Sequence, residues 1–121
     1  MLDAALQILR GHTPTPPAEF PDAPLDWMPE TASAIAQQEG LILKPEHWEA
    51  LRALQEYFAR NQDQVIHGRA LHDALDEHFH QQGGIKFLYQ IFPGGPIAQG
   101  CRLAGLQPPV SARDNSFGSV M

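Results

Sequence analysis

Lys86-Phe87-Leu88-Tyr89-Gln90-Ile91-Phe92-Pro93-Gly94-Gly95-Pro96-Ile97-Ala98-Gln99-Gly100-Cys101-Arg102-Leu103-Ala104-Gly105-Leu106 reads as two short helices on either side of a forced corner. Lys86 to Phe92 is an aromatic helix, broken by Pro93-Gly94-Gly95. Proline lacks an N–H donor, and glycine reaches backbone angles that other residues avoid, so together they stop a helix. Pro96 suits the first position of the next helix, which runs to Ala104. Gly105 fits the left-handed stop and Leu106 the apolar contact after it. Pro108-Pro109 then prevents the helix from resuming. The Pro93–Pro96 run lacks the Gly-Lys-Ser/Thr ending and the preceding strand of a phosphate loop, so its plain role is a corner between helices.

The same reasoning extends upstream. A helix is predicted from about Pro29 to Glu39, with Pro29 at its first position, Glu30 at the positive end of the dipole and Gly40 as its stop. The next runs from Pro45 to Arg60, with Trp48, Leu51, Leu54, Tyr57 and Phe58 as its buried stripe. A third covers about Gly68 to His80, with Leu71, Ala74, Leu75, His78 and Phe79 on one face, and Gly83-Gly84 ends it. The predicted core contains Trp48, Leu51, Leu54, Phe58, Leu71, Leu75, Phe79, Leu88 and Phe92. Residues 1–27 are irregular, because Pro14, Pro16, Pro17, Pro21 and Pro24 deny them a long helix. Within them, Met1 to Arg10 fits a helical stripe, and a short strand at Gln7 to Arg10 competes with it. Residues 107–121 form a tail rich in Pro, Ser and Gly. About five short helices of this kind cannot stand alone and must pack around one core.

The chain has 121 residues and is 43% hydrophobic, enough for a single domain with one modest core. Its formal net charge is -6, and its basic residues are scattered rather than clustered, which argues against nucleic acid as a direct ligand. No apolar run approaches the roughly 20 residues of a membrane span. The start lacks the features of a signal peptide, and there is one cysteine, so a reducing cytoplasm is the expected compartment.

Chemistry has few places to reside. Cys101 is the only thiol, which excludes a disulfide within the chain. It shares a helix face with Ile97 and Ala104. That placement fits a small buried core residue. The alternative is a reactive thiol, favoured as thiolate by Arg102 and, if it approaches, Lys86. Among six histidines, His72 and Asp76 have the i, i+4 spacing that could reach one ion, but no third ligand is evident. His47 beside Trp48 at a helix start reads as packing or local hydrogen bonding. No metal site, cofactor site or acid–base constellation is expected.

The opening stretch also resembles the signature of the DsrC/TusE family of sulfur-relay proteins: an aromatic Tyr-x-x-Phe-Pro-x-Gly-Pro, then Gln, then an Ala-Gly-Leu-Pro ending. Upstream, Ala34-Ile35-Ala36 leads through Glu39-Gly40 to Leu43-Lys44-Pro45-Glu46-His47-Trp48-Glu49, similar to the family's acidic-Gly and Pro-Glu-His-Trp segment. Arg69 with Leu71 fits its Arg-x-Leu, and Trp27 resembles the Trp after the family's N-terminal hairpin. The likeness spans about residues 27–109.

This resemblance implies a mainly α fold with a small β element. An N-terminal β-hairpin, somewhere in residues 7–20, would pack on an orthogonal array of helices, with a flexible C-terminal arm. The single domain would comprise an N-terminal arm or hairpin (1–27), a helical core (28–106) and the arm (107–121). It also implies cytoplasmic sulfur transfer. TusE-like members take a persulfide from a TusBCD-type complex on a cysteine near the C-terminal end and pass it toward tRNA thiolation. In DsrC-like members the same arm serves dissimilatory sulfite reductase, and a second cysteine lies eleven residues upstream. Cys101 matches that upstream cysteine. The arm position eleven residues later is Ala112, and Ser111 and Ser116 cannot carry sulfane sulfur.

Two functions follow. One is a non-standard carrier or accessory of sulfur trafficking, using Cys101 if it carries sulfur at all. Its partner would be a TusBCD/DsrEFH-type sulfurtransferase or a sulfite-reductase-like protein. Lys86, Tyr89, Phe92, Pro93, Gly95, Pro96, Arg102 and Arg69 are the candidate docking or site-shaping residues. The other is a regulatory or interaction protein that keeps the fold without carrying sulfur, with DNA binding as a variant. The helix-borne position of Cys101 favours weak or absent persulfide loading.

Overall fold

The computed structural model describes residues 19–109. The expected hairpin and most of the C-terminal arm lie outside them. Five α-helices and one 3₁₀ turn follow in order: α1 (Pro29–Gln38), α2 (Pro45–Arg60), α3 (Gly68–His78), the 3₁₀ turn (His80–Gln82), α4 (Ile85–Ile91) and α5 (Ala98–Ala104). No strand occurs among the described residues.

Local chemistry sets the boundaries. α1 and α2 each open on a proline, whose fixed φ suits the first turn. α1 closes in a Schellman turn: Gly40 has φ 72° and Leu41 N–H donates to Ala36 O at 2.8 Å. His47 serves the start of α2 and also ties it to α4. Its Nδ1 accepts the Lys44 N–H at 3.0 Å, so the ring proton sits on Nε2 and donates to Ile91 O at 2.7 Å. The ring also meets Phe92 edge-on at 5.0 Å.

α3 stops at His78, two residues short of the predicted end. Phe79 leaves the helix, and Gly83 (φ 124°) and Gly84 (φ 69°) reverse the chain. Asp76 explains this end: its Oδ1 accepts the Ile85 N–H at 2.8 Å and so caps α4. The carboxylate considered for a metal ion is therefore engaged in a structural hydrogen bond. His72 lies 3.8 Å from Asp73, and His78 pairs with Glu49 of α2 at 3.3 Å.

α5 lies at the centre, packed against α2 and α1, while α3 bridges α2 and α4. Ala32 and Ala36 of α1 are buried, as are Leu51 and Leu54 of α2, Leu71 and Leu75 of α3, and Leu88 of α4. Phe79 and Phe92 close the core at the helix ends. The core extends beyond the expected helical block, since Phe20 and Trp27 are buried and stack edge-on at 5.0 Å. Trp48 and Phe58 were expected in the core but are only partly buried. Trp48 stands between two open grooves of about 460 and 410 Å³, which its neighbours do not fill.

Candidate functional site

α5 is the element on which the only thiol rides, and each of its turns is tied to something else. The turn before it is already bonded in the helical pattern: Gln99 N–H donates to Gly95 O at 2.9 Å and Gly100 N–H to Pro96 O at 3.1 Å. α5 itself begins at Ala98, two residues after the predicted start, and Pro96 stands in the turn that leads into it rather than at its first position. Gly100 faces α2: a Cβ there would stand 2.8 Å from Leu54 Cδ1, so a larger residue requires the Leu54 side chain to shift.

Cys101 faces inward and has 0% exposure. Burial alone pushes its thiol up to about 12, because a thiolate there would lose its hydration with no compensating charge. The cation expected to help it does not. Arg102 turns outward and grips Glu39 at the end of α1 with two bonds, Nε to Oε2 and Nη2 to Oε1, both 3.1 Å. Lys86 is exposed on α4 and contributes nothing to the titration of Cys101. At neutral pH the site holds a protonated, inaccessible thiol, which is neither nucleophile nor metal ligand in that state.

Glu39 organises the other side of α5. Gln99 is buried and donates Nε2–H to Glu39 Oε1 at 2.8 Å, while its own Oε1 accepts the Gly94 N–H at 2.9 Å. Corner, helix and end of α1 are thereby linked in one chain of hydrogen bonds. The Glu39 carboxyl is held below the usual carboxylate range, first by the Arg102 bond, with burial opposing and Gln99 assisting.

The end of α5 is equally occupied. Trp27 Nε1–H donates to Leu103 O at 2.7 Å, and Gln55 Nε2–H donates to Ala104 O at 3.0 Å. Gly105 is left-handed, φ 78°, and Leu106 N–H returns to Cys101 O at 2.8 Å, closing a Schellman turn.

The remaining candidate residues divide into two groups. Phe92 and Pro96 are buried and Gly95 is half-buried at φ 95°, so they shape the corner from within. Lys86, Tyr89 (53% exposed) and Pro93 are exposed along α4 and the corner, and Arg69 is exposed on α3. Sequence reasoning missed the roles of Glu39, Gln99, Gln55 and Trp27. Three of these stood inside recognised segments, but nothing in their spacing could announce partners 60 to 76 residues away. Gln55 carried no signal beyond being a polar residue on the buried stripe. No group of three or more potential metal ligands occurs among the described residues. Nor is any described helix long and apolar enough to cross a membrane.

Among the described residues, fold and site define a small array of five α-helices around one core, with its single cysteine buried on the central helix. Comparison with known proteins gives the family. The model of the family described as DsrC like protein matches residues 13–112. Sulfurtransferase TusE of Escherichia coli is 37% identical over 86 residues, covering 69% of this chain and 77% of that protein. Sulfurtransferase TusE of Salmonella typhimurium is 38% identical over the same length. The NMR structure of Allochromatium vinosum DsrC superposes with a TM-score of 0.60 at 38% identity, covering 70% of this chain and 76% of that one. The chain belongs to the DsrC/TusE family of sulfur-relay proteins.

Proposed function

We propose that this protein is a docking member of a cytoplasmic sulfur relay that engages a sulfurtransferase-type partner without carrying sulfur on Cys101. The relay serves tRNA 2-thiolation or dissimilatory sulfur metabolism. The partner is of the TusBCD/DsrEFH type or resembles sulfite reductase. One observation carries the reading: the only thiol is fully buried and pushed up to about 12, while the arm position eleven residues beyond it is Ala112. Sulfane transfer needs an accessible thiolate, which attacks the outer sulfur of the donor persulfide. The donor leaves as a thiolate, the acceptor becomes the persulfide, and no oxidant is consumed. Cys101 offers neither access nor charge. What remains is recognition, through exposed Lys86 and Tyr89 of α4 and Pro93 of the corner, which Phe92, Gly95 and Pro96 hold in shape, and through Arg69 on α3, with Arg102 bracing α5 against α1.

The test restores the missing group. Ala112→Cys in a Cys101→Ala background should accept sulfane sulfur from a persulfide-charged TusBCD-type complex, read by intact mass. The wild-type chain should stay unloaded and should slow delivery to an authentic carrier. Stoichiometric loading of the wild type, abolished in Cys101→Ser, would restore the carrier role. Failure of the Ala112→Cys chain to load, together with absent competition, would defeat the docking reading.

A further inference from the structure

We propose that Trp27 and Gln55 are positioning residues for the segment after α5: they clamp the last two carbonyls of that helix and fix the position and direction of the chain through Pro109, the anchor from which the residues beyond it reach a protein partner. The inference rests on the docking reading above for its purpose, but not for its geometry. The last carbonyls of a helix have no partner within it. A continuing helix would satisfy Ala104 O from residue 108, but Pro108 has no N–H. Gln55 supplies the missing donor at 3.0 Å, from a different helix. A continuing helix would satisfy Leu103 O from Gln107. Trp27 takes that place at 2.7 Å, from before α1.

These two donors act with a left-handed turn that has no room for a side chain. Gly105 has φ 78°, and a Cβ on it would stand 2.7 Å from Trp27 Cδ1. The indole therefore fills the space beside the turn while holding the carbonyl next to it. The chain remains against the core beyond the turn: Leu106 packs on it and Pro109 is buried. Gln55 also has a buried Oε1 without a hydrogen-bond partner. A leucine or methionine there would avoid that penalty, so the amide is a costly way to fill space and a direct way to hold a carbonyl. Ala112 is only three residues past Pro109. Its reach from that anchor is at most about 11 Å even fully extended. Moving the anchor therefore moves everything that position 112 can touch.

Trp27→Phe and Gln55→Met each remove one donor and keep an apolar side chain of similar reach. In the full chain, amide exchange at Leu106 should accelerate about tenfold in either variant, the size expected for losing one such bond. Amides in the middle of α2 should stay unchanged. The Gln55→Met variant keeps the test alive if Trp27→Phe fails to fold. A second readout uses the Ala112→Cys, Cys101→Ala chain. Loading of the introduced thiol by the charged donor complex should fall about tenfold with either clamp variant, while loading by inorganic polysulfide, which needs no docking, should not change. Unchanged Leu106 exchange in both variants overturns the proposal. So does equal loss with donor complex and polysulfide, or no loss with either. If the parent chain is not loaded by the complex at all, the docking reading fails and the exchange result decides the clamp alone.

Discussion

The contact between Leu54 of α2 and Gly100 of α5 allows a quantitative test of the packing that seats Cys101. Leu54 is fully buried, and its Cδ1 lies where a side chain on Gly100 would begin, 2.8 Å from the missing Cβ. Leu54→Ala removes buried methyl groups and leaves a cavity, at a cost of about 2–5 kcal/mol. The upper half of that range is expected, because α5 is pinned at its end by Trp27 and Gln55 and cannot settle into the gap. Gly100→Ala alone gains up to about 1 kcal/mol of helix propensity but forces its methyl against Leu54, at about 1–3 kcal/mol. The net single-variant loss is then about 0–3 kcal/mol. Combined, the new methyl enters the space that Leu54 vacates, so the double variant should be more stable than additivity requires by about 1 kcal/mol or more. Urea unfolding followed by fluorescence of Trp27 and Trp48 reads all four states, with a constant slope as the control. A Leu54→Ala loss under about 1 kcal/mol would remove Leu54 from the core. Additivity within about 0.5 kcal/mol would refute direct contact between the two sites.

Gly105→Ala should cost about 2–4 kcal/mol, combining a left-handed backbone that alanine resists with a clash on the indole that holds Leu103 O. Calorimetry showing a stability equal to wild type would contradict the turn. Glu39→Gln should lower stability by about 0.5–1 kcal/mol at neutral pH. The Glu39 carboxyl is depressed in the folded state, so its contribution exists above the unfolded pKa and is lost as pH falls through the folded one. Denaturation curves whose difference persists unchanged into acid would count against the Arg102 pair. For Cys101, the folded thiol is raised from 9.0 to about 12. Unfolded chains ionise first, so wild type should lose stability across that alkaline window relative to Cys101→Ala, and an unchanged difference would contradict full burial. Alkylation at neutral pH should proceed only through opening, its rate rising with urea. Labelling as fast as that of a free thiol would refute the site geometry.

The places where helices start and stop were legible in the sequence because the controlling interactions span a few residues. Pro29 and Pro45 open helices and Pro96 stands in the turn before the last one, while Gly40 and Gly105 close helices in left-handed turns that any chain with those residues would favour. Buried leucines at helical spacing marked the core for the same reason, and a motif spread along much of the chain carried the family. The state of Cys101 was open, since its spacing favours a core residue without excluding a reactive thiol. Tertiary packing decided it, by placing α5 between α1 and α2 and turning Arg102 away to Glu39. The same holds for Trp27, Gln55 and Gln99. Each donates a hydrogen bond to a group 49 to 76 residues away. Such pairings are set by how helices stack rather than by periodicity along any one of them, and so only the folded chain reveals that the end of α5 is held from two sides.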